Sequence, residues 1–174
     1  MTEKRISSAL ALTLLAGCSI VPLQASEQAS ARRTLSGIDG DLTSGSIGRV
    51  EILAIPDPIS VEVAMTEKGL AESAFFRCEY RKGEHEFDEL TSSILKMRVT
   101  GPAEFPDIRW GLIFFDAHDR VVGTIYLEQE YPSLPNISGK IDGHVVTVDK
   151  SLINWLVNHI PSKDCIDLRI RPPN

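Results

Sequence analysis

Residues 108–128, IRWGLIFFDAHDRVVGTIYLE, contain two long apolar runs, Ile108–Phe115 and Val121–Glu128. Five residues, Asp116 to Arg120, separate the runs. Aromatic and β-branched side chains are frequent in both runs, which favours strands over helices. Two such runs joined by a short polar segment predict a β-hairpin. Because each run is almost continuously apolar, we expect these two strands to lie in the centre of a sheet.

Further strands are predicted on both sides of this hairpin. Phe76, Cys78 and Tyr80 alternate with charged residues, which is the pattern of a strand with one buried face. The pair Asp142-Gly143 favours the tight turn of another hairpin. Residues 100–107 contain two prolines and predict a loop. The additional strands expected are residues 49–55, 60–64, 76–80, 145–148 and 166–171.

Three segments carry helix signals. Thr66 is a suitable N-cap for a short helix, and Asp149 is suitable for one that Pro161 ends. Residues 85–97 repeat an apolar side chain at three- and four-residue spacing, at Phe87, Leu90, Ile94 and Met97. Strands outnumber helices and come mostly as hairpins. The sequence therefore predicts an α+β fold, a single small domain with a mostly antiparallel sheet and two or three packed helices.

Composition sets limits on size and partners. The chain has 174 residues, enough for one domain, with 24 acidic and 18 basic side chains and a net charge of −6. No basic cluster is longer than the pair Arg32-Arg33. Because nucleic-acid binding depends on concentrated positive charge, we expect no nucleic-acid partner.

The N-terminus carries the features of an export signal. Lys4 and Arg5 precede an eleven-residue apolar stretch, Ile6–Ala16, which is too short to span a bilayer. The end of this stretch and the two residues after it, Leu15-Ala16-Gly17-Cys18, resemble the lipobox of bacterial lipoproteins. In that family, signal peptidase II cleaves before a lipid-modified cysteine. The resemblance covers this segment only. It implies a signal peptide at residues 1–17, a palmitate-bearing lipid on Cys18 and an anchor in the cell envelope.

Two alternatives concern the same segment. Cleavage after Ala25 would leave an unanchored periplasmic or secreted protein, although Leu23 stands where that site prefers a small residue. The lipobox pattern could also be a coincidence within an apolar run. If Cys18 is lipidated, the family's sorting rule and Ser19 imply the outer membrane, facing the periplasm, in an organism that has one.

The segment after Cys18 is rich in Ser, Ala and Gly and shows no sustained period. Residues 18–48 are therefore predicted to form the lipidated cysteine and a flexible tether, with the globular domain at residues 49–174. Loss of residues 1–17 removes one acidic and two basic side chains, which leaves a net charge of −7.

Two other cysteines, Cys78 and Cys165, would lie in a compartment that permits disulfides. Cys78 belongs to the apolar phase of its strand, whereas Cys165 shares its phase with charged residues. The sequence leaves open whether they form a disulfide or two separate thiols.

Candidate site residues are few. Asp116, His118 and Asp119 offer a carboxylate–imidazole–carboxylate set for a metal, but Asp and His are also common in turns for their backbone hydrogen bonds, and a turn is the favoured interpretation. Phe105 and Tyr131, in proline-containing loops, are candidates for an exposed partner-binding surface. No catalytic motif was found, and no cofactor is indicated.

These features favour a non-enzymatic binding protein held in the envelope by its lipid. The interpretation is an inhibitor or immunity protein that binds a secreted toxin or a cell-wall hydrolase, because the acidic balance suits a basic partner. One alternative is a structural or assembly lipoprotein of the envelope. A less favoured one is an enzyme that acts on peptidoglycan or lipid.

Overall fold

The computed structural model describes residues 21–55, 64–129, 133–160 and 165–167. These residues contain four helices and eight strands. In chain order they are α1 (Val21–Ser44), β1 (Ile47–Ala54), α2 (Glu67–Ser73), β2 (Phe76–Arg81), α3 (His85–Lys96), β3 (Val99–Pro102), β4 (Ile108–Asp116), β5 (Val121–Glu128), β6 (Asn136–Ile141), β7 (His144–Asp149), α4 (Ser151–His159) and β8 (Ile166–Asp167).

The strands form one sheet in the order β3-β7-β6-β5-β4-β1-β2-β8, and each described pair is antiparallel. The β4–β5 hairpin lies in the middle of the sheet, as its apolar runs predicted. Asp142 and Gly143 have φ angles of 45° and 81°, which is the left-handed pair that a type I′ turn requires. The predicted α+β fold with a mostly antiparallel sheet is confirmed.

The two faces of the sheet are covered differently. α1, α3 and α4 pack on one face and bury the main core with alternate residues of the strands, such as Ile52, Leu112 and Ile125. α2 packs on the opposite face, where Leu70 packs against Leu53 in a second, smaller core. The rest of that second face carries mainly polar side chains, including Arg49, Glu51 and Glu79 near Phe115, and we call it the open face.

The tether prediction for residues 18–48 is wrong from residue 21 onward, because α1 is a 24-residue helix that belongs to the domain. Ala31, Leu35, Ile38 and Leu42 are buried at spacings of four, three and four residues. Ile38 lies on Gly123, where a Cβ atom would come within 2.9 Å of the isoleucine side chain. Burial of this stripe offsets the poor helix propensity of the surrounding Gly, Ser and Thr. The domain therefore begins before residue 49.

One segment predicted as a loop is partly a strand, and two further predicted helices are present. Residues 99–102, partly placed in a loop, form the edge strand β3, and Pro102 is tolerated because it ends that strand. The helices predicted after Thr66 and Asp149 are present, and the Thr66 hydroxyl accepts the Gly69 N–H at 3.1 Å. The strand expected at 60–64 lies mostly outside the described residues, and of 166–171 only β8 is described.

Cys78 and Cys165 are joined in a disulfide, with their Cα atoms 4.6 Å apart. Cys78 is buried in β2, and β8, which follows Cys165, pairs with the same strand. Cys165 lies just before its strand, as predicted, so the alternation of side chains along that strand did not fix the direction of its thiol. The bridge connects positions 87 residues apart.

Candidate functional site

Phe105 is the most exposed large apolar side chain among the described residues, at 90% of its full accessible area. It lies in the segment 103–107, between β3 and β4, which we call the recognition loop. Four other exposed large apolar residues, Val121, Val122, Leu134 and Val157, keep between 39% and 57% of their area. The expectation that Phe105 is exposed is confirmed. Tyr131 lies outside the described residues.

The residues after Phe105 hold the recognition loop in place. Pro106 is buried. Asp107 Oδ2 accepts hydrogen bonds from Arg109 Nε at 2.9 Å and from Arg109 Nη2 at 2.6 Å, and Asp107 Oδ1 accepts one from the Met65 N–H at 2.6 Å. Arg109 is itself buried, and the Asp107 carboxylate compensates its positive charge. Burial raises the pKa of nearby Glu128, and the charge of Asp107 adds to that shift.

A groove of about 430 Å³ lies beside Phe105 and is lined by Ala103, Glu104, Phe105 and Val145. Val145 belongs to β7, the strand that pairs with β3, so the sheet supports one wall of the groove. An exposed aromatic ring next to a mainly apolar groove, on a loop whose last residue is held by a partly buried ion pair, is suited to contact a partner without much loss of conformational freedom.

Asp116, His118 and Asp119 lie together in the β4–β5 turn, but the carboxylates already have partners. Asp116 Oδ1 accepts the His118 and Arg120 N–H groups at 2.8 and 3.0 Å, and Asp116 Oδ2 lies 2.6 Å from Arg120 Nη2. These hydrogen bonds lower the pKa of Asp116 to about 2. Asp119 has a left-handed φ of 59° and lies 2.9 Å from Arg49 Nη2.

This geometry agrees with the turn interpretation of the three residues. Across the described ranges, no three His, Cys, Asp or Glu side chains are placed to hold a metal ion together. The turn residues give no separate reason to place a ligand there.

A charged network on the open face was not predicted. Arg49 lies over the Phe115 ring, with its guanidinium carbon 3.6 Å from the ring centroid, and it is within 3.6 Å of Glu51 and 3.3 Å of Glu79. Asp119 is the third carboxylate that contacts the Arg49 guanidinium. The alternation of charged residues along β1 and β2 signals an exposed face, but only the sheet order shows that these charges meet around Arg49.

The anchor residue predicted from the lipobox, Cys18, lies outside the described residues. None of the described helices is both long enough and apolar enough to cross a bilayer. No protein-family model, curated protein or solved structure compared with the chain matches it. Functional proposals therefore depend on the residues and contacts given above.

Proposed function

We propose that the protein is a lipid-anchored binding protein of the cell envelope, and that it inhibits a secreted toxin or a cell-wall hydrolase in the manner of an immunity protein. The recognition loop is the contact surface, with Phe105 as its central side chain. The membrane is the second partner, through the lipid on Cys18. In an organism with an outer membrane, the domain faces the periplasm from that membrane.

Two features support the location. The segment ending in Cys18 resembles a lipobox, and the Cys78–Cys165 disulfide suits an oxidising compartment outside the cytoplasm. α1 begins at Val21, so at most about 10 Å of extended chain separates Cys18 from the domain. A lipid on Cys18 would thus hold the domain close to the bilayer surface. The domain would therefore have to bind its partner near that surface.

The single observation that carries the binding proposal is the exposure of Phe105 on a loop that other residues hold in place. The ring is 90% exposed, although burying a phenylalanine typically contributes about 1.5–3 kcal/mol. Its loop is fixed by Asp107 and Arg109 before any partner binds. A rigid aromatic anchor beside a groove is typical of the residues that dominate the free energy of protein–protein binding. The negative net charge of the chain favours encounter with a basic partner.

The binding proposal can be tested with a photo-crosslinking amino acid placed at position 105 of the full-length chain in its native envelope. The same amino acid at position 121 is the matched control, because Val121 is also exposed and apolar but lies on β5. A toxin or hydrolase should be captured from position 105 only. With that protein purified, Phe105→Ala should raise the Kd at least about 30-fold and Val121→Ala less than about threefold.

Inhibition separates this function from its alternatives. The wild-type chain should suppress the lytic activity of the captured protein, and Phe105→Ala should need a correspondingly higher concentration. A purified chain that bound no envelope protein but turned over muropeptides would overturn the proposal in favour of an enzyme. Anchoring is tested separately: Cys18→Ala should abolish lipid labelling and membrane fractionation, and an unchanged mass of the processed protein would refute the anchor.

A further inference from the structure

A second groove, of about 520 Å³, lies between α1 and the segment that joins α3 to β3. The floor is apolar, because Leu35, Met97 and Val99 are buried beneath it. The rim is polar and carries Arg32, Ser36, Asp39 and Arg98. Its volume is in the range of small-molecule sites, and it does not involve the recognition loop.

The two arginines are held by backbone carbonyl groups. Arg32 Nη2 donates to the Val99 carbonyl oxygen at 3.2 Å. Arg98 Nη1 donates to the carbonyl oxygens of Leu95 at 2.7 Å and of Met97 at 2.9 Å, at the C-terminal end of α3. Each guanidinium therefore has a fixed position and keeps further N–H groups that can donate to an anionic group.

Asp39 is the unusual member of the rim. Its Oδ1 atom is buried, and within the part of the chain that the structure describes this atom has no hydrogen-bond partner. Burial raises the pKa of Asp39, and the positive charge of Arg98 opposes that shift. Among the described residues no ion pair joins Asp39 to Arg98, and the Arg98 guanidinium donates to the Leu95 and Met97 carbonyl groups instead. Opposite charges thus face each other across the groove without contact.

We propose that this groove binds a small zwitterion with an apolar substituent. Its carboxylate or phosphate is bound by Arg32 and Arg98, its primary ammonium is bound by the Asp39 carboxylate and the Ser36 hydroxyl, and its apolar part covers the floor. A ligand with both charges complements the carboxylate and the two guanidinium groups together, which a simple anion does not. Free amino acids and ethanolamine headgroups share this chemistry.

The test is calorimetric titration of the full-length chain in detergent micelles with defined probes. L-Leucine carries both charges and an apolar substituent, 4-methylpentanoate lacks the ammonium, and 3-methylbutylamine lacks the carboxylate. We expect leucine to bind at least about tenfold more tightly than either analogue. A soluble short-chain phosphatidylethanolamine, which carries both charges and apolar chains, distinguishes the source: if it binds more tightly than leucine, the zwitterion is a lipid headgroup, and if it binds more weakly, the zwitterion is a free amino acid.

Variants distinguish binding from folding. Asp39→Asn should weaken leucine binding about tenfold or more but should not weaken 4-methylpentanoate binding, because it removes only a negative charge, whereas a structural defect would weaken both. Asp41→Asn, on the same helix but outside the groove lining, is the matched control and should bind as wild type. The proposal is overturned if leucine and 4-methylpentanoate bind equally, which indicates an anion site only, or if neither zwitterion binds at millimolar concentration.

Discussion

Asp116 shows how one side chain can define a turn. Its two oxygens accept the His118 and Arg120 N–H groups and the Arg120 guanidinium, which closes the β4–β5 hairpin. All three contacts favour the charged carboxylate, so they hold its pKa at about 2, below its ordinary value of 3.8. The stabilisation they provide is fully present above about pH 4 and is lost as the pH falls towards 2.

We predict that Asp116→Asn lowers the free energy of unfolding at pH 6, and that the difference from wild type shrinks between about pH 4 and pH 2. The amide keeps one acceptor for the backbone but loses the ion pair with Arg120. Urea unfolding at a series of pH values measures the difference. Asp41→Asn is the control, because no described hydrogen bond or ion pair reaches its carboxylate. If the difference in the free energy of unfolding between wild type and Asp116→Asn stayed constant down to pH 2, the charged Asp116 carboxylate would not be the source of the stabilisation.

At the scale of elements, α1 is the least expected part of the fold. The segment contains Gly37 and Gly40 and several Ser and Thr residues, so local propensity does not favour a helix. Its side chains nevertheless repeat a buried position every three or four residues, and they cover β5 to β7 and β3. This stripe is narrow and the composition around it resembles that of a linker, so the sequence pattern alone did not predict the helix.

We predict opposite effects from two neighbouring substitutions in α1. Ile38→Ala should lower the free energy of unfolding by about 2–5 kcal/mol, because it removes a buried side chain that lies on the sheet. Gly37→Ala should raise it by about 0.5–1 kcal/mol, because a Cβ there meets no atom within 4 Å and alanine favours the helix. Urea unfolding measures both. If Ile38→Ala left stability unchanged, α1 would not be an integral part of the domain.

At the scale of the whole molecule, the Cys78–Cys165 bridge encloses half of the chain. A loop of this length, 87 residues in sequence separation, stabilises the folded state by about 4–5 kcal/mol in the chain-entropy description. The bridge connects β2, the neighbour of the edge strand β8, to Cys165, which directly precedes β8. It thereby limits separation of β8 from the sheet.

We predict that reduction of wild-type protein lowers its urea midpoint strongly, whereas Cys165→Ser protein has a low midpoint with or without reductant. Alkylation followed by mass measurement before and after reduction counts the free thiols in the same samples. Two free thiols at positions 78 and 165 in unreduced protein isolated from its native host would contradict the bridge.

The predictable part of the fold is the part that depends on near neighbours in the chain. The apolar runs of β4 and β5, the alternation in β2, the Asp142-Gly143 turn and the stripe of α3 are local patterns, and each corresponds to the expected element. The exposure of Phe105 was also predictable, because it lies in a proline-containing connection between strands and such connections run over the protein surface. The contacts of Asp107 that fix its loop were not.

What the sequence by itself determined is therefore the fold class, the central hairpin and the elements with strong periodicity. Only the tertiary structure decided that residues 21–44 are a core helix, that Cys78 meets Cys165, that charges gather around Arg49, and that Arg98 faces Asp39 across a groove. Each of these depends on residues far apart in the chain, so its free energy comes from packing and charge interactions that no local pattern records.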